Sequence, residues 1–279
     1  MFVGVLRLLR LSNSVPASLL VLLGAKIIHT PLLHPRLWLA VSAMWCITAF
    51  GYVSNDLSDQ AEDRINKPDR PLPTGVVTQQ QARLLASTLF MLAFLSSALL
   101  GLGPLLIALL GLGLLILYNW RLKGTAGIGN LLIAGLAASA LLPGGVAVYG
   151  WQWMRLVHLL PAMVGLLTFI LARELLKTVE DAVGDFVVGK HTFALTCGVR
   201  QTTYSIVGLT ILLFGTVIIF FPWWSYSIIT ILLMLLGVVT PLGWSIYTLG
   251  PQPTLAQTRR SLALLKGSYF IGLLALWFA

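Results

Sequence analysis

The acidic residues are the side chains in this sequence best suited to chemistry, and all nine lie in two short segments. Five lie in the first segment and four in the second: Asp56, Asp59, Glu62, Asp63 and Asp69, then Glu174, Glu180, Asp181 and Asp185. The chain around them is apolar, with 58% hydrophobic residues and a mean hydropathy of +0.91. A protein dissolved in lipid keeps a charged group near the bilayer only where that group has a partner or a task. The two segments are therefore the first candidates for a functional site.

The first motif crowds carboxylates onto one helix face. It consists of Asn55, Asp56, Asp59 and Asp63. At 100° per residue the four side chains span an arc of roughly 100°, and the three aspartates an arc of about 60°. Carboxylates this close repel one another unless cations lie between them. Mg²⁺ prefers oxygen ligands and commonly links one or two carboxylates to substrate phosphates, so the spacing predicts a Mg²⁺ site.

The second motif repeats this arrangement. Asp59 and Asp63 recur as Asp181 and Asp185 at a constant offset, and each pair closes an apolar segment and precedes a basic loop. Glu174, Thr178, Asp181 and Asp185 fall within about 60° of one another on a helix, with Lys177 beside them. Glu180 points elsewhere and is expected to pair with a loop cation. Two similarly oriented halves, each with one motif, are expected to meet around a central cavity.

Basic residues accompany both motifs. Lys67 and Arg70 follow the first, Lys190 follows the second, and Arg121 and Lys123 lie in the loop between them. A diphosphate leaving group is stabilised by metal ions together with Lys or Arg donors. Lys67, Arg70 and Lys123 are the preferred candidates, because they lie beside polar motif residues.

Apolar windows long enough to cross a bilayer position these motifs. Nine are predicted, at 13–32, 36–54, 82–101, 103–119, 126–149, 156–178, 203–221, 225–248 and 261–279. Residues 2–10 predict an interfacial helix leading into the first span. Thr78 and Gln81 predict a capping box at the start of the third. The predicted fold is an all-α membrane protein of nine transmembrane helices, forming a single domain over residues 1–279.

The basic residues predict the orientation of these spans. With a cytoplasmic N-terminus, 15 of the 18 Lys and Arg residues lie on the cytoplasmic side, and the exceptions are Lys26, Arg36 and Arg155. Both acidic motifs then face the cytoplasm. This bias accounts for most of the net charge of +9, and no basic stripe with interleaved aromatic residues indicates nucleic-acid binding. Membrane lipids are the expected surroundings, and nothing in the sequence implies a protein partner.

The two motifs resemble the UbiA superfamily of intramembrane prenyltransferases. The segment NDLSDQAEDRINKPDRPLPTG, at 55–75, is similar to that family's NDxxDxxxD motif and the loop after it. The segment RELLKTVEDAVGDFVVGKHTFAL, at 173–195, is similar to its second motif. Tyr118, Lys123 and Asn130 occupy positions where the family carries polar residues between two helices. The likeness covers nearly the whole chain.

The resemblance implies a nine-helix bundle around a cavity and the transfer of a prenyl group from a prenyl diphosphate to a lipophilic acceptor. The catalytic and metal-binding residues it implies are Asp56, Asp59, Asp63, Asp181 and Asp185. The substrate-binding residues are Asn55, Lys67, Arg70, Tyr118, Lys123, Lys177 and Lys190. Ionisation of the diphosphate would give an allylic carbocation, which the acceptor attacks at C1.

The acceptor stays open at this point. The motifs look most like the geranylgeranylglycerol-phosphate geranylgeranyltransferase branch, although Thr178 stands where that branch is expected to carry an acidic residue. Quinone or chlorophyll precursors are alternative acceptors. A terpene cyclase on the same scaffold is the alternative within enzymes, and a membrane transporter is the alternative outside them. A transporter gives no ready account of two DxxxD motifs on one face.

Overall fold

The computed structural model describes residues 2–223, 225–250 and 253–279, and within these ranges the regular structure is helical. The chain folds into two compact units, one comprising residues 1–123 and 140–156, the other residues 124–139 and 157–279. The first acidic motif belongs to the first unit and the second motif to the second. The prediction of one domain over residues 1–279 stays a prediction.

The first unit begins with α1 (Phe2–Leu9), α2 (Leu11–Ile27), α3 (Pro35–Ser58), α4 (Gln60–Asn66), α5 (Gln79–Leu100) and α6 (Leu102–Leu117). A π-helical turn (Tyr118–Leu122) follows α6. The unit also contains α8 (Leu142–Tyr149) and α9 (Trp153–Leu156), which come after α7 (Ile128–Ser139) of the second unit in the chain. Helix α3 is central, packing against α2, α5, α6 and α8. Small residues permit this close packing: Ala49, Ala82, Ala86, Ala93 and Ala108 lie in the core formed by α1, α3, α5 and α6.

The helices of the second unit are α7 (Ile128–Ser139), α10 (Leu160–Glu180), α11 (Ala182–Val187), α12 (Phe193–Cys197), α13 (Val199–Gly215), α14 (Phe221–Trp223), α15 (Ile228–Met234), α16 (Thr240–Leu249) and α17 (Leu255–Trp277). Helix α10 packs against α7, α13 and α17. Two π-helical turns, Thr216–Phe220 and Leu235–Val239, extend α13 and join α15 to α16.

Six helical segments among the described residues are long and apolar enough to cross a membrane, or eight if each of two broken pairs counts as one span. The six are Pro35–Ser58, Gln79–Leu100, Leu102–Leu122, Trp153–Glu180, Val199–Phe220 and Ile228–Leu249. The pairs are α1 with α2, and α7 with α8. Helix α17 falls outside this set and carries three basic residues, at 259, 260 and 266. The ninth predicted span therefore stays a prediction.

Helix ends follow local sequence signals. The predicted capping box is confirmed: Thr78 Oγ1 accepts from the Gln81 amide at 3.2 Å, and Gln81 Oε1 accepts from the Thr78 amide at 3.0 Å. The polar segment after the second predicted span contains the short helix α4. Its helical hydrogen bonds continue from α3 through Asp59, and the chain leaves the helix only near Pro68.

Candidate active site

The first acidic motif spans the junction between α3 and α4. Asp59 lies between the two helices with φ −94° and ψ 9°, so the four motif residues are not on one helix as the spacing predicts. The Asp59 amide still donates to Asn55 O at 3.0 Å, and the Asp63 amide donates to Asp59 O at 2.8 Å. Because these bonds keep the helical spacing through the junction, the predicted side-chain face survives the break.

The aspartates of this motif are buried beside cations. Asp56, Asp59 and Asp63 are 2%, 6% and 3% exposed. The Arg10 guanidinium bonds Asp56 Oδ1, and Arg70 Nη1 lies 3.2 Å from the same oxygen while also bonding Asp63 Oδ2. A buried carboxylate without a partner is strongly unfavourable, and these cations compensate it.

Lys123, Asn55 and Asp59 form a closed set of hydrogen bonds. Lys123 Nζ donates to Asn55 Oδ1 at 2.9 Å and also to Asp59 Oδ2. Asn55 Nδ2 donates to that same Asp59 oxygen at 2.8 Å. Lys123 directly follows the π-helical turn, where its amide donates to Tyr118 O at 2.9 Å, and Tyr118 itself is half-buried. Single π-turns inserted in helices are frequent at functional sites.

Burial and charge oppose each other at Asp63 and Arg70. Burial raises the pKa of the Asp63 carboxyl above its ordinary value, although the hydrogen bond and charge of Arg70 work against that rise. Burial lowers the pKa of the Arg70 guanidinium, but the charges of Asp56 and Asp63 outweigh it and the net shift is upward. The cation Arg70, close to Asp63, therefore favours the ionised form of this carboxylate against the effect of burial.

The second motif has the same backbone design. Asp181 lies between α10 and α11 with φ −86° and ψ 0°, close to the values at Asp59. The Asp181 amide donates to Lys177 O at 3.0 Å, and the Asp185 amide donates to Asp181 O at 3.0 Å. Asp185 is 4% exposed, and its Oδ1 lies 3.9 Å from Lys190 Nζ.

The remaining side chains around this second motif have separate partners. Lys177 Nζ lies 3.6 Å from Glu174 Oε2, and Thr178 Oγ1 donates to Leu175 O at 2.7 Å. Glu180 pairs with Arg259 at 3.3 Å, so its cation lies on α17 and not in a loop. The second unit therefore brings Asp185 together with Lys190, and Lys177 together with Glu174.

Two residues near the first motif are not predicted by the sequence as site residues. Arg10 was assigned only to the interfacial helix, and its contact with Asp56 spans 46 positions, so no local spacing signals it. Asn119, in the π-helical turn, donates from Nδ2 to Ser54 Oγ at 2.8 Å. Lys67, which the sequence does predict as a site residue, lies just after α4, and its amide donates to Asp63 O at 2.9 Å.

The donor set of the first unit suits Mg²⁺. Its buried ligand atoms are carboxylate oxygens, which Mg²⁺ prefers. Across residues 2–223, 225–250 and 253–279, no three His, Cys, Asp or Glu side chains form a ready-made metal cluster. Since Arg10, Arg70 and Lys123 bond these carboxylates, a bound ion would replace part of that compensating charge.

Comparison with known proteins gives the family of this chain. The UbiA prenyltransferase family model matches residues 14–277. Digeranylgeranylglyceryl phosphate synthase of Methanoregula boonei is 37% identical over 224 residues, which cover 80% of this chain and 78% of that protein. A solved structure of digeranylgeranylglyceryl phosphate synthase has a TM-score of 0.73 at 28% identity, covering 99% of this chain and 97% of its own.

A second solved structure has the same fold. It is a UbiA homologue from Archaeoglobus fulgidus bound to GPP and Mg²⁺, with a TM-score of 0.69 at 17% identity, and the match covers 96% of this chain and 99% of that one. The family match extends over nearly the whole sequence and includes both acidic motifs. This chain belongs to the UbiA prenyltransferase family.

Proposed function

We propose that this prenyltransferase transfers a geranylgeranyl group from its diphosphate to the hydroxyl of geranylgeranylglyceryl phosphate, in a Mg²⁺-dependent reaction. The observation that carries this proposal is the set of three buried aspartates, each bonded to Arg or Lys, in an otherwise apolar helical unit. Such a site suits a substrate with a multiply charged head and a hydrocarbon tail. The Archaeoglobus fulgidus homologue bound to GPP and Mg²⁺ supports the same cofactor here.

The residues of the first motif would hold the diphosphate head. Asp56, Asp59 and Asp63 would hold Mg²⁺, which would supply positive charge to stabilise the departing diphosphate. Asn55 orients Asp59 through their hydrogen bond. Lys123 and Arg70 supply positive charge beside the carboxylates and would donate to the departing oxygens.

The second motif would also hold a metal ion. Asp181 and Asp185 repeat the backbone design of Asp59 and Asp63, which supports the same role in metal binding. Lys190 beside Asp185 parallels the cations of the first motif, and Lys177 and Tyr118 are further candidates for substrate contact.

The reaction would break the bond between C1 and the diphosphate oxygen, with the electron pair leaving on the diphosphate. The acceptor oxygen would then attack C1, its proton leaving with the diphosphate.

The acceptor assignment rests on the relatives. The Methanoregula boonei protein and the solved structure at 28% identity are both digeranylgeranylglyceryl phosphate synthases. Thr178 lies where an acidic residue was expected, and its hydroxyl bonds its own helix backbone. Glu174, one turn earlier, supplies a carboxylate on the same face.

The membrane arrangement is proposed on charge and length. Eight spans from the described helices, together with α17 as a ninth, would place the N-terminus and both motifs on the cytoplasmic side. Lipid-facing helices would then surround the two lipophilic substrates.

Substitution of motif aspartates tests the function. Asp59→Asn and Asp181→Asn are each expected to lower Mg²⁺-dependent diphosphate release by at least ~100-fold, because a ligand charge is lost with little change of shape. The assay uses purified protein in nanodiscs with geranylgeranyl diphosphate and geranylgeranylglyceryl phosphate. Asp69→Asn is the matched control, since Asp69 is exposed and carries the same charge.

Two outcomes would contradict the proposal. Turnover near the wild-type rate in both motif variants would remove the carboxylates from the mechanism. Diphosphate release without an acceptor, together with a cyclic hydrocarbon product, would instead indicate a terpene cyclase.

A further inference from the structure

Arg10 adopts a backbone conformation that side-chain-bearing residues rarely take. It lies between α1 and α2, which meet at 45°, with φ 46° and ψ 55°. This left-handed region brings Cβ close to the following carbonyl and is normally occupied by glycine or asparagine. An arginine held there requires compensating contacts elsewhere, and such strain is common at functional sites.

The compensating contacts lead into the acidic site. The Arg10 guanidinium bonds Asp56 Oδ1, and its central carbon lies 5.1 Å from the centroid of the Tyr52 ring. Asp56 is almost completely buried, whereas the Arg10 side chain keeps 21% of its surface exposed. Leu8 and Leu9, just before Arg10, lie in the core with α3, so the end of α1 is fixed close to Asp56.

A second cation, Arg70, also lies beside Asp56 Oδ1, but it has a further partner and belongs to another segment of the chain. Arg70 lies 3.2 Å from the same oxygen, but it also bonds Asp63 and belongs to the loop that follows the motif. Among the described residues, the ion pair of the Arg10 guanidinium is with Asp56. Loss of the Arg10 contact would therefore leave Asp56 paired, while loss of Arg70 would affect two aspartates.

We propose that Arg10 is a positioning residue that holds Asp56 in the substrate-free enzyme and yields this carboxylate oxygen to the divalent cation. This rests on the proposed function. A guanidinium and a Mg²⁺ ion on one carboxylate oxygen repel each other, so binding of the ion displaces Arg10. The ion then enters a carboxylate site that was held in place and electrically compensated before it arrived.

Mn²⁺ binding without substrate tests this exchange. Mn²⁺ takes the same oxygen ligands as Mg²⁺ and is counted directly by electron paramagnetic resonance of the free ion. Arg10→Gln is expected to bind Mn²⁺ about 10-fold more tightly than the wild type, because the competing charge is gone, a change of the size that neighbouring groups produce at metal sites. Arg10→Lys, which keeps the charge, is expected to stay near the wild-type affinity.

Two further variants separate exchange from general effects. Arg7→Gln removes the same charge from the preceding helix α1 and is expected to leave Mn²⁺ affinity unchanged. Arg10→Gly removes the charge but accepts the left-handed backbone, so it is expected to fold like the wild type and still bind Mn²⁺ more tightly.

Three outcomes would overturn the exchange of Arg10 for the cation at Asp56. Unchanged or weaker Mn²⁺ binding in both Arg10→Gln and Arg10→Gly overturns the exchange. If those variants lose affinity only for the prenyl diphosphate, Arg10 is a substrate ligand and the exchange is again overturned. Absence of any Mn²⁺ binding in the wild type overturns the proposed function together with the exchange.

Discussion

Buried carboxylates and their cations form a matched set in the first unit. Asp56 bonds Arg10 and Arg70, Asp63 bonds Arg70, and Asp59 bonds Lys123. Removing one member of a buried ion pair usually costs more than the pair contributed, because the remaining charge stays in an apolar environment. Single substitutions here should therefore affect both stability and chemistry.

Substitution of Lys123 is expected to affect both the stability and the chemistry of the protein. Lys123→Met is expected to destabilise the protein by about 3 kcal/mol, because Asp59 and Asn55 lose their shared donor. Diphosphate release is expected to fall by at least ~100-fold, because a charge beside the leaving group is lost. Thermal unfolding in detergent and the nanodisc assay measure the two effects.

Arg121→Met is the control for Lys123. Arg121 is exposed, and its guanidinium carbon lies 4.5 Å from the centroid of the Trp120 ring. Its substitution therefore removes a cation close to Lys123 in sequence but leaves the ion pair of Asp59 in place. Equal losses in both variants would show that Lys123 acts only through the net charge of this loop.

The sequence predicted the motif residues of this set but not Arg10, for a physical reason. The motif residues were found because helical spacing puts positions three and four apart on one face, and the break at Asp59 preserves that spacing. Arg10 was missed because its approach to Asp56 depends on how α1 packs against α3, which no local pattern encodes. The roles assigned to the predicted site residues stay predictions.

Helix junctions position both motifs in the same way. An aspartate with ψ near zero separates a long helix from a short one at Asp59 and again at Asp181. The long helix anchors the first carboxylates in the apolar core, and the short helix carries the last one. The sequence revealed the repeat through its constant spacing, but not the break, because both sides of each aspartate have ordinary helical composition.

Close helix contacts depend on glycine at particular positions. A Cβ on Gly144, in α8, would collide with the backbone carbonyl of Val21 in α2 and meet Leu37 Cδ1 at 3.0 Å. Gly144→Ala is expected to destabilise the protein by about 1–3 kcal/mol, because the α2 backbone cannot move aside as a flexible side chain can. Thermal unfolding followed by size-exclusion chromatography measures the change.

Gly135, in α7, is the matched glycine without such a contact. An added Cβ there meets nothing within 4 Å. Gly135→Ala is expected to be neutral or to stabilise by up to about 1 kcal/mol, since alanine is the better helix former. Equal destabilisation in the two variants would contradict the contact between α2 and α8 as the cause.

A helix cap explains why the helix α17 begins before the window predicted there. The last span was predicted at 261–279, but α17 begins at Leu255 because Thr254 and Gln257 form a second capping box. The hydropathy pattern missed this start, since Arg259 and Arg260 interrupt the apolar run inside the helix. Element type was thus predictable from apolar length, while boundaries were decided by short polar signals.

Two basic residues on the side predicted to be non-cytoplasmic have local structural partners. Arg36, on the side predicted to be non-cytoplasmic, donates to Leu100 O and to Ala147 O, the latter at 2.7 Å, near the C-terminal ends of α5 and α8. A cation there satisfies helix carbonyls and is favoured by the helix dipoles. Arg155 packs its guanidinium 4.4 Å from the Tyr149 ring centroid. Two of the three exceptions to the predicted orientation, Arg36 and Arg155, therefore have structural partners of their own.

The two cysteines offer a direct test of this orientation. Cys46 is buried within α3, whereas Cys197 is exposed at the end of α12, in a loop predicted to be cytoplasmic. A membrane-impermeant maleimide is expected to label the protein in inside-out vesicles and not in right-side-out vesicles. Cys197→Ser is expected to abolish the labelling, because the Cys46 thiol is inaccessible.

A cysteine on the opposite side completes the test. Trp153 is 70% exposed and precedes the sixth predicted span, on the side predicted to be non-cytoplasmic. In the Cys197→Ser background, Trp153→Cys is expected to react only in right-side-out vesicles, because an odd number of spans separates positions 153 and 197 in the predicted topology. Labelling of both positions from the same side would contradict the span count between them. Labelling of each from the side opposite to its prediction would keep that count and invert the whole chain, moving both acidic motifs away from the cytoplasm.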